Sequence, residues 1–114
     1  MELTDTQFKE TIYDYSASQT KSIRPVVVDF VTDWCASCRG FTPTLEKVAQ
    51  KFTGKVDFIK VNVTRADELV TALGIQSVPT IMFYQPGLTS PVKTLTGAMN
   101  AEALESAVCS SFAI

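Results

Sequence analysis

The sequence predicts a single α/β domain over residues 1–114, a mixed sheet of four or five strands with helices on both faces. Helical and extended patterns alternate along the chain. The run "VVVDFV" at 26–31 puts β-branched residues on both faces, as in a central parallel strand covered from both sides. A short turn joins the last two extended segments, which makes them an antiparallel hairpin. With 114 residues, 46% of them hydrophobic, the chain has enough apolar material for one core.

The elements follow in order. "LTDTQFKETIYDYS" opens with Thr4 as N-cap and Gln7 at the capping-box position, and Phe8, Ile12 and Tyr15 share one helical face. "SASQTKSIRP" is a polar connection into the strand at 26–31. A long helix is expected from Cys35 to Phe52, with Leu45, Val48, Ala49 and Phe52 turned inward and Pro43 kinking it. "VDFIKVNV" at 56–63 is a second strand, and Ala66 to Leu73 a short helix closed by Gly74. "VPTIMFY" is a third strand, the turn "QPGLTS" leads to a fourth, "PVKTLT", and Gly97 ends it. Asn100 caps a last helix that buries Ala101, Leu104, Val108 and Phe112. No repeat or linker divides the chain.

Charge and composition exclude several function classes. The net charge of −2 gives no electrostatic footprint for nucleic acid, and no Lys/Arg run suits an anionic membrane surface. The apolar stretches fall well short of the roughly 20 residues that cross a bilayer. The segment "MELTDTQFKE" lacks the basic and apolar regions of a secretory signal, so the cytoplasm is the expected compartment. There is no histidine, which removes Ser-His and Cys-His catalysis and every histidine-containing metal site. Three cysteines do not complete a four-thiolate site in one chain, and an odd number does not suit a disulfide-stapled module. No cofactor is expected.

"DWCASC" is the chemical signal. Cys35 follows a buried strand and begins a helix, where an open site forms in an α/β sheet. Free N–H groups and the partial positive charge of the helix start favour thiolate over thiol there. Cys38 falls one turn later, near enough to bond Cys35. One exposed, activated sulfur and one shielded sulfur suit the passing of a disulfide. Two alternatives stay open on spacing alone: half of a metal site shared between chains, and a pair of inert core cysteines.

In "VVVDF", "DWCASC", Pro43, "KVNV", "GIQSVPT" and "TGA" followed by a final helix, the chain resembles the thioredoxin family over essentially its whole length. The resemblance implies the thioredoxin fold and a protein-disulfide reductase acting through Cys35 and Cys38, recharged by a thioredoxin reductase and working as a monomer. It implies a cis peptide at Val78–Pro79 facing the cysteines, with the Val78 backbone pairing to an extended substrate segment. Trp34, Ala36, Ser37, Pro79, Gly97 and Ala98 complete the implied substrate-binding surface.

Asp29 is the one charge in "VVVDFV" and Lys60 the odd charge in "FIKVNV". Burying Asp29 ionised is costly, so its pKa should rise into the range of a proton acceptor near neutrality. The resemblance makes it a proton relay for Cys38, with Lys60 tuning it; a buried Asp29–Lys60 ion pair is the plainer reading, and both can hold. Gly97 is alternatively a simple bulge, Pro79 a strand start, and Trp34 plain core. Cys109 borders the apolar stripe of the last helix and reads as an inert, half-buried thiol, with regulatory oxidation or dimer formation as the alternative.

The chain departs from the family pattern at several points. Ala36-Ser37 replaces the usual Gly-Pro, Val31 stands where many members carry a second tryptophan, and Arg39 stands where lysine is common. The family's first strand is reduced to about Met1–Leu3. Ala36-Ser37 and Val31 motivate a competing function, a thioredoxin-fold docking module; a third reading of the paired cysteines is a dimer sharing an iron–sulfur cluster through Cys35 and Cys38.

Overall fold

The apolar run at 26–31 becomes the central strand. The computed structural model describes residues 24–86 and 91–114, together with the backbone of 2–3, 13–14 and 19–20. In chain order the elements are β1 (Glu2–Leu3), β2 (Tyr13–Asp14), β3 (Gln19–Thr20), β4 (Val26–Val31), α1 (Ala36–Lys51), β5 (Asp57–Asn62), α2 (Asp67–Leu73), β6 (Thr80–Tyr84), β7 (Lys93–Thr96) and α3 (Ala101–Phe112). Five strands form one mixed sheet in the order β1-β5-β4-β6-β7, which is the thioredoxin-like α/β arrangement. β4 runs parallel to β5 and antiparallel to β6, and β6 and β7 form the expected antiparallel pair.

All six residues of β4 are buried because both faces of the sheet are covered. Val26, Val28 and Phe30 pack with Leu69 of α2 and with Met82 and Tyr84 of β6. Val27 faces the other way, against Phe41, Leu45 and Val48 of α1 and Leu104 and Val108 of α3. Each such side chain, fully buried, contributes about 1.5–3 kcal/mol. The alternation along β4 sends Asp29 to the same face as Val27.

Local signals end the helices as the sequence predicts. Gly74 closes α2 in the left-handed region at φ 69°, and the Asn100 side chain accepts the Ala103 N–H at 2.8 Å at the start of α3. Pro43 lies inside α1. Ala49 and Ala101 are only half-buried, and Phe41, not foreseen as inward-facing, is buried in their stead on the face of α1. No helix among the described residues is long and apolar enough to cross a membrane.

One expectation is corrected. The helix expected over residues 3–16 does not run through Tyr13, because Tyr13–Asp14 pair antiparallel with Gln19–Thr20. This antiparallel pairing overrides the weak periodicity of Ile12 and Tyr15. The capping positions Thr4 and Gln7 and the turn residues 87–90 lie outside the described residues. The shortened first strand is present as Glu2–Leu3, in register with Lys60 and Val61.

Candidate functional site

The site forms where β4 and β5 end and the chain turns into α1. Cys35 is the N-cap of α1: its backbone is extended (φ −86°, ψ 100°) and its Sγ accepts the Cys38 N–H at 3.1 Å. A sulfur thus takes the place that a Ser or Asp oxygen fills at most helix starts. Cys35 and Cys38 lie 5.2 Å apart at Cα and are joined by a disulfide. Ser37 Oγ is 3.5 Å from Cys35 Sγ, within hydrogen-bond reach of a sulfur. The first turn of α1 carries no acidic residue, so nothing there opposes the helix-start charge that favours a thiolate.

The expected exposed sulfur is not found in the disulfide state, where both cysteines are buried. Cys35 is 7% exposed and Cys38 2% exposed. In the disulfide state both pack against Val31 and Val78, which covers much of Cys35 as well.

Asp29 is fully buried, and neither carboxylate oxygen has a hydrogen-bond partner among the described residues. Burial pushes its pKa up from 3.8 to about 7, and the Lys60 charge pulls in the opposite direction. Lys60 sits opposite Asp29 in the parallel register. Strand alternation puts Asp29 between Val27, over α1, and Val31, against the cysteines. Lys60 also lines, with Thr32, Cys38, Arg39 and Asn62, a cleft of about 190 Å³. Cys38 and Lys60 therefore line the same cleft.

The surface around the pair is built from separate elements. The Val78–Pro79 peptide is cis, Val78 packs on the cysteines, and Pro79 is buried. The Pro79 carbonyl accepts the Gly97 N–H at 2.9 Å, which brings the end of β7 beside it. Gly97 has φ 87°, and a Cβ there would meet nothing within 4 Å. Trp34 is 70% exposed and so is not core. Ala36, Ser37 and Ala98 are exposed. Trp34 and Val78 border a groove of about 330 Å³ whose walls include Val63, Val70 and Ile75. Cys109 is free and half-buried on α3, packed against the core far along the chain from this site.

Sequence reasoning missed the polar residues that brace the turn before Cys35. Asp33, Asn62 and Thr64 are hydrogen-bonded to one another across the ends of β4 and β5. They are 29 to 31 residues apart for the bonds to Asp33, and no local spacing pattern registers such contacts.

With that geometry in place, comparison with known proteins is specific. The thioredoxin family model matches residues 1–110. The chain is 37% identical over 105 residues to a thioredoxin of Alicyclobacillus acidocaldarius, covering 92% of this chain and 90% of the relative. It is 30% identical over 109 residues to a thioredoxin of Borreliella burgdorferi, covering 93% and 92%. A thioredoxin of Streptomyces clavuligerus is 36% identical over 90 residues, 79% of this chain and 81% of its own.

Proposed function

The chain belongs to the thioredoxin family and is a thiol-disulfide oxidoreductase, and from that premise we propose that it reduces protein disulfides with Cys35 as nucleophile and Cys38 as resolving thiol. The observation that carries this reading is the N-cap geometry, with Cys35 Sγ on the Cys38 N–H and both sulfurs within bonding distance.

Each electron pair has a destination. The Cys35 thiolate attacks one sulfur of a substrate disulfide, forming a mixed disulfide and expelling the other substrate sulfur as a thiolate. Cys38, losing its proton, then attacks Cys35, closing the Cys35–Cys38 disulfide and releasing the second substrate thiolate. Two electrons have passed from the protein to the substrate. Asp29 is the acceptor for the Cys38 proton. Its buried, unpartnered carboxyl and pKa near 7 support that role, and Lys60 tunes it by holding the pKa below what burial alone would give.

Trp34, Ala36, Ser37, Val78, Pro79, Gly97 and Ala98 form the docking surface for the substrate protein, with the Val78 backbone pairing to an extended segment beside the disulfide. A thioredoxin reductase returns the electrons, and the protein works in the cytoplasm as a monomer. The docking-module and cluster-sharing readings are not favoured, since the relatives are thioredoxins and the two sulfurs are bonded to each other.

Insulin-disulfide reduction driven by dithiothreitol tests the reading. The wild-type chain should accelerate precipitation and Cys35→Ser should not. A wild type no faster than dithiothreitol alone contradicts it.

A further inference from the structure

Asp33 lies in the turn between β4 and α1, two residues before Cys35, and three of its polar groups are held from outside the turn. Its N–H donates to Thr64 Oγ1 at 2.9 Å, its Oδ1 accepts from Asn62 Nδ2 at 2.7 Å, and its carbonyl accepts from Arg39 Nη1 at 3.1 Å. Asn62 and Thr64 are themselves joined, the Thr64 N–H donating to Asn62 Oδ1 at 3.0 Å. Asn62 ends β5 in register with Val31, the last residue of β4, and the Val63 N–H donates to the Val31 carbonyl at 2.7 Å. The brace thus spans the two central strands at the point where both leave the sheet. Within the turn, the Cys35 N–H reaches the Thr32 carbonyl at 3.4 Å.

Hydrogen bonds this exposed add little stability one by one. Their consequence lies in geometry. While the disulfide is closed, the S–S bond itself fixes Cys35 over the start of α1. Once it is reduced that restraint is gone, and the turn is held by Asp33 and its partners. The stability of a disulfide within one chain follows how closely the two reduced thiols are kept in bonding geometry, which is an effective concentration.

We infer that Asp33, Asn62 and Thr64 are positioning residues that keep the Thr32–Trp34 turn, and with it the Cys35 sulfur, in bonding geometry with Cys38 in the reduced protein, and so set how strongly the pair holds its disulfide. The inference rests on Cys35 and Cys38 being the working couple but not on which sulfur attacks substrate, because an equilibrium constant is indifferent to that order.

The test equilibrates the full chain with glutathione, in which two glutathione thiols are oxidised to one glutathione disulfide as Cys35–Cys38 is reduced. Thr64→Val, which keeps the shape and removes the acceptor, and Asn62→Ala should each lower the equilibrium constant for holding the disulfide three- to tenfold. That is a potential about 15 to 30 mV less negative. Thr64→Ser, which restores the acceptor, should return to within twofold of wild type. Wild-type constants in both Thr64→Val and Asn62→Ala would overturn the inference, as would a Thr64→Ser as displaced as Thr64→Val. Should Thr64→Val fail to fold, Asn62→Ala decides alone, since Asn62 is only half-buried and belongs to neither core cluster.

Discussion

Asp29 on β4 faces Lys60 on β5 in the parallel register, yet both carboxylate oxygens of Asp29 lack a hydrogen bond among the described residues. A carboxyl in that position destabilises the fold whenever it is ionised, and the native state binds its proton more tightly than the unfolded chain does.

The pH dependence follows from that sign. The folded pKa, about 7, lies above the ordinary 3.8. The contribution of Asp29 to stability is therefore fully present below about pH 4, is lost as pH rises between the two values, and levels off above about 7. A shift of roughly 3 units corresponds to about 4 kcal/mol. Asp29→Ala escapes that cost but leaves a small cavity costing about 1–2 kcal/mol. Denaturant unfolding of the oxidised protein should show Asp29→Ala more stable than wild type by about 2 kcal/mol at pH 8, with the gain abolished at pH 4. A variant weaker than wild type at both values contradicts the burial argument.

The order of attack gives a second prediction. Cys38→Ser keeps the nucleophile and removes the resolving thiol, so mixed disulfides between Cys35 and substrate should accumulate. Cys35→Ser should trap at least tenfold less. Mass spectrometry under non-reducing conditions distinguishes them, and equal trapping by both variants contradicts the assignment of roles.

Trp34 is 70% exposed, so truncating it removes little packing within the chain itself. Trp34→Ala should leave the unfolding free energy within about 0.5 kcal/mol of wild type. It should raise KM for a protein disulfide about fivefold and leave the rate with a small aromatic disulfide unchanged. A loss on both substrates would place Trp34 in the chemistry instead of the docking surface.

Gly97 combines φ 87° with open space around its absent Cβ. Gly97→Ala meets no atom but must adopt a left-handed backbone, which costs about 1–2 kcal/mol. The expected outcome is a loss of that size in denaturant unfolding, with the Cys35–Cys38 potential unchanged. A larger loss would mean that the Gly97–Pro79 bond holds more of the fold than its geometry suggests.

The sequence makes legible what is local. "VVVDFV" declares a doubly covered strand, Gly74 and Asn100 close and open helices through their own backbone and side-chain chemistry, and Cys35 and Cys38 are brought together by one helical turn. The unforeseen features depend on contacts between distant segments. Tyr13–Asp14 extend because Gln19–Thr20 pair with them, against a helical pattern only a few residues deep. Cys35 is more covered than its place at a helix start suggests, because Val78, more than forty residues later, closes over it. Asp33, Asn62 and Thr64 look like ordinary polar loop residues until β4 and β5 are laid side by side. A raised pKa at Asp29 was legible, since a charge inside an apolar strand announces its own desolvation; that its oxygens lack a hydrogen bond among the described residues was not.

The most direct test of the central claim, that Cys35 and Cys38 form a couple that donates electrons to protein disulfides, is the reduction potential of that couple against glutathione and dithiothreitol buffers. A potential near or below about −250 mV is the predicted result, because it sets the protein among reducing thioredoxins in a glutathione-poised compartment. A value near about −180 mV would contradict it and make the protein a catalyst of disulfide exchange, with Ala36 and Ser37 the first residues to exchange in search of the cause.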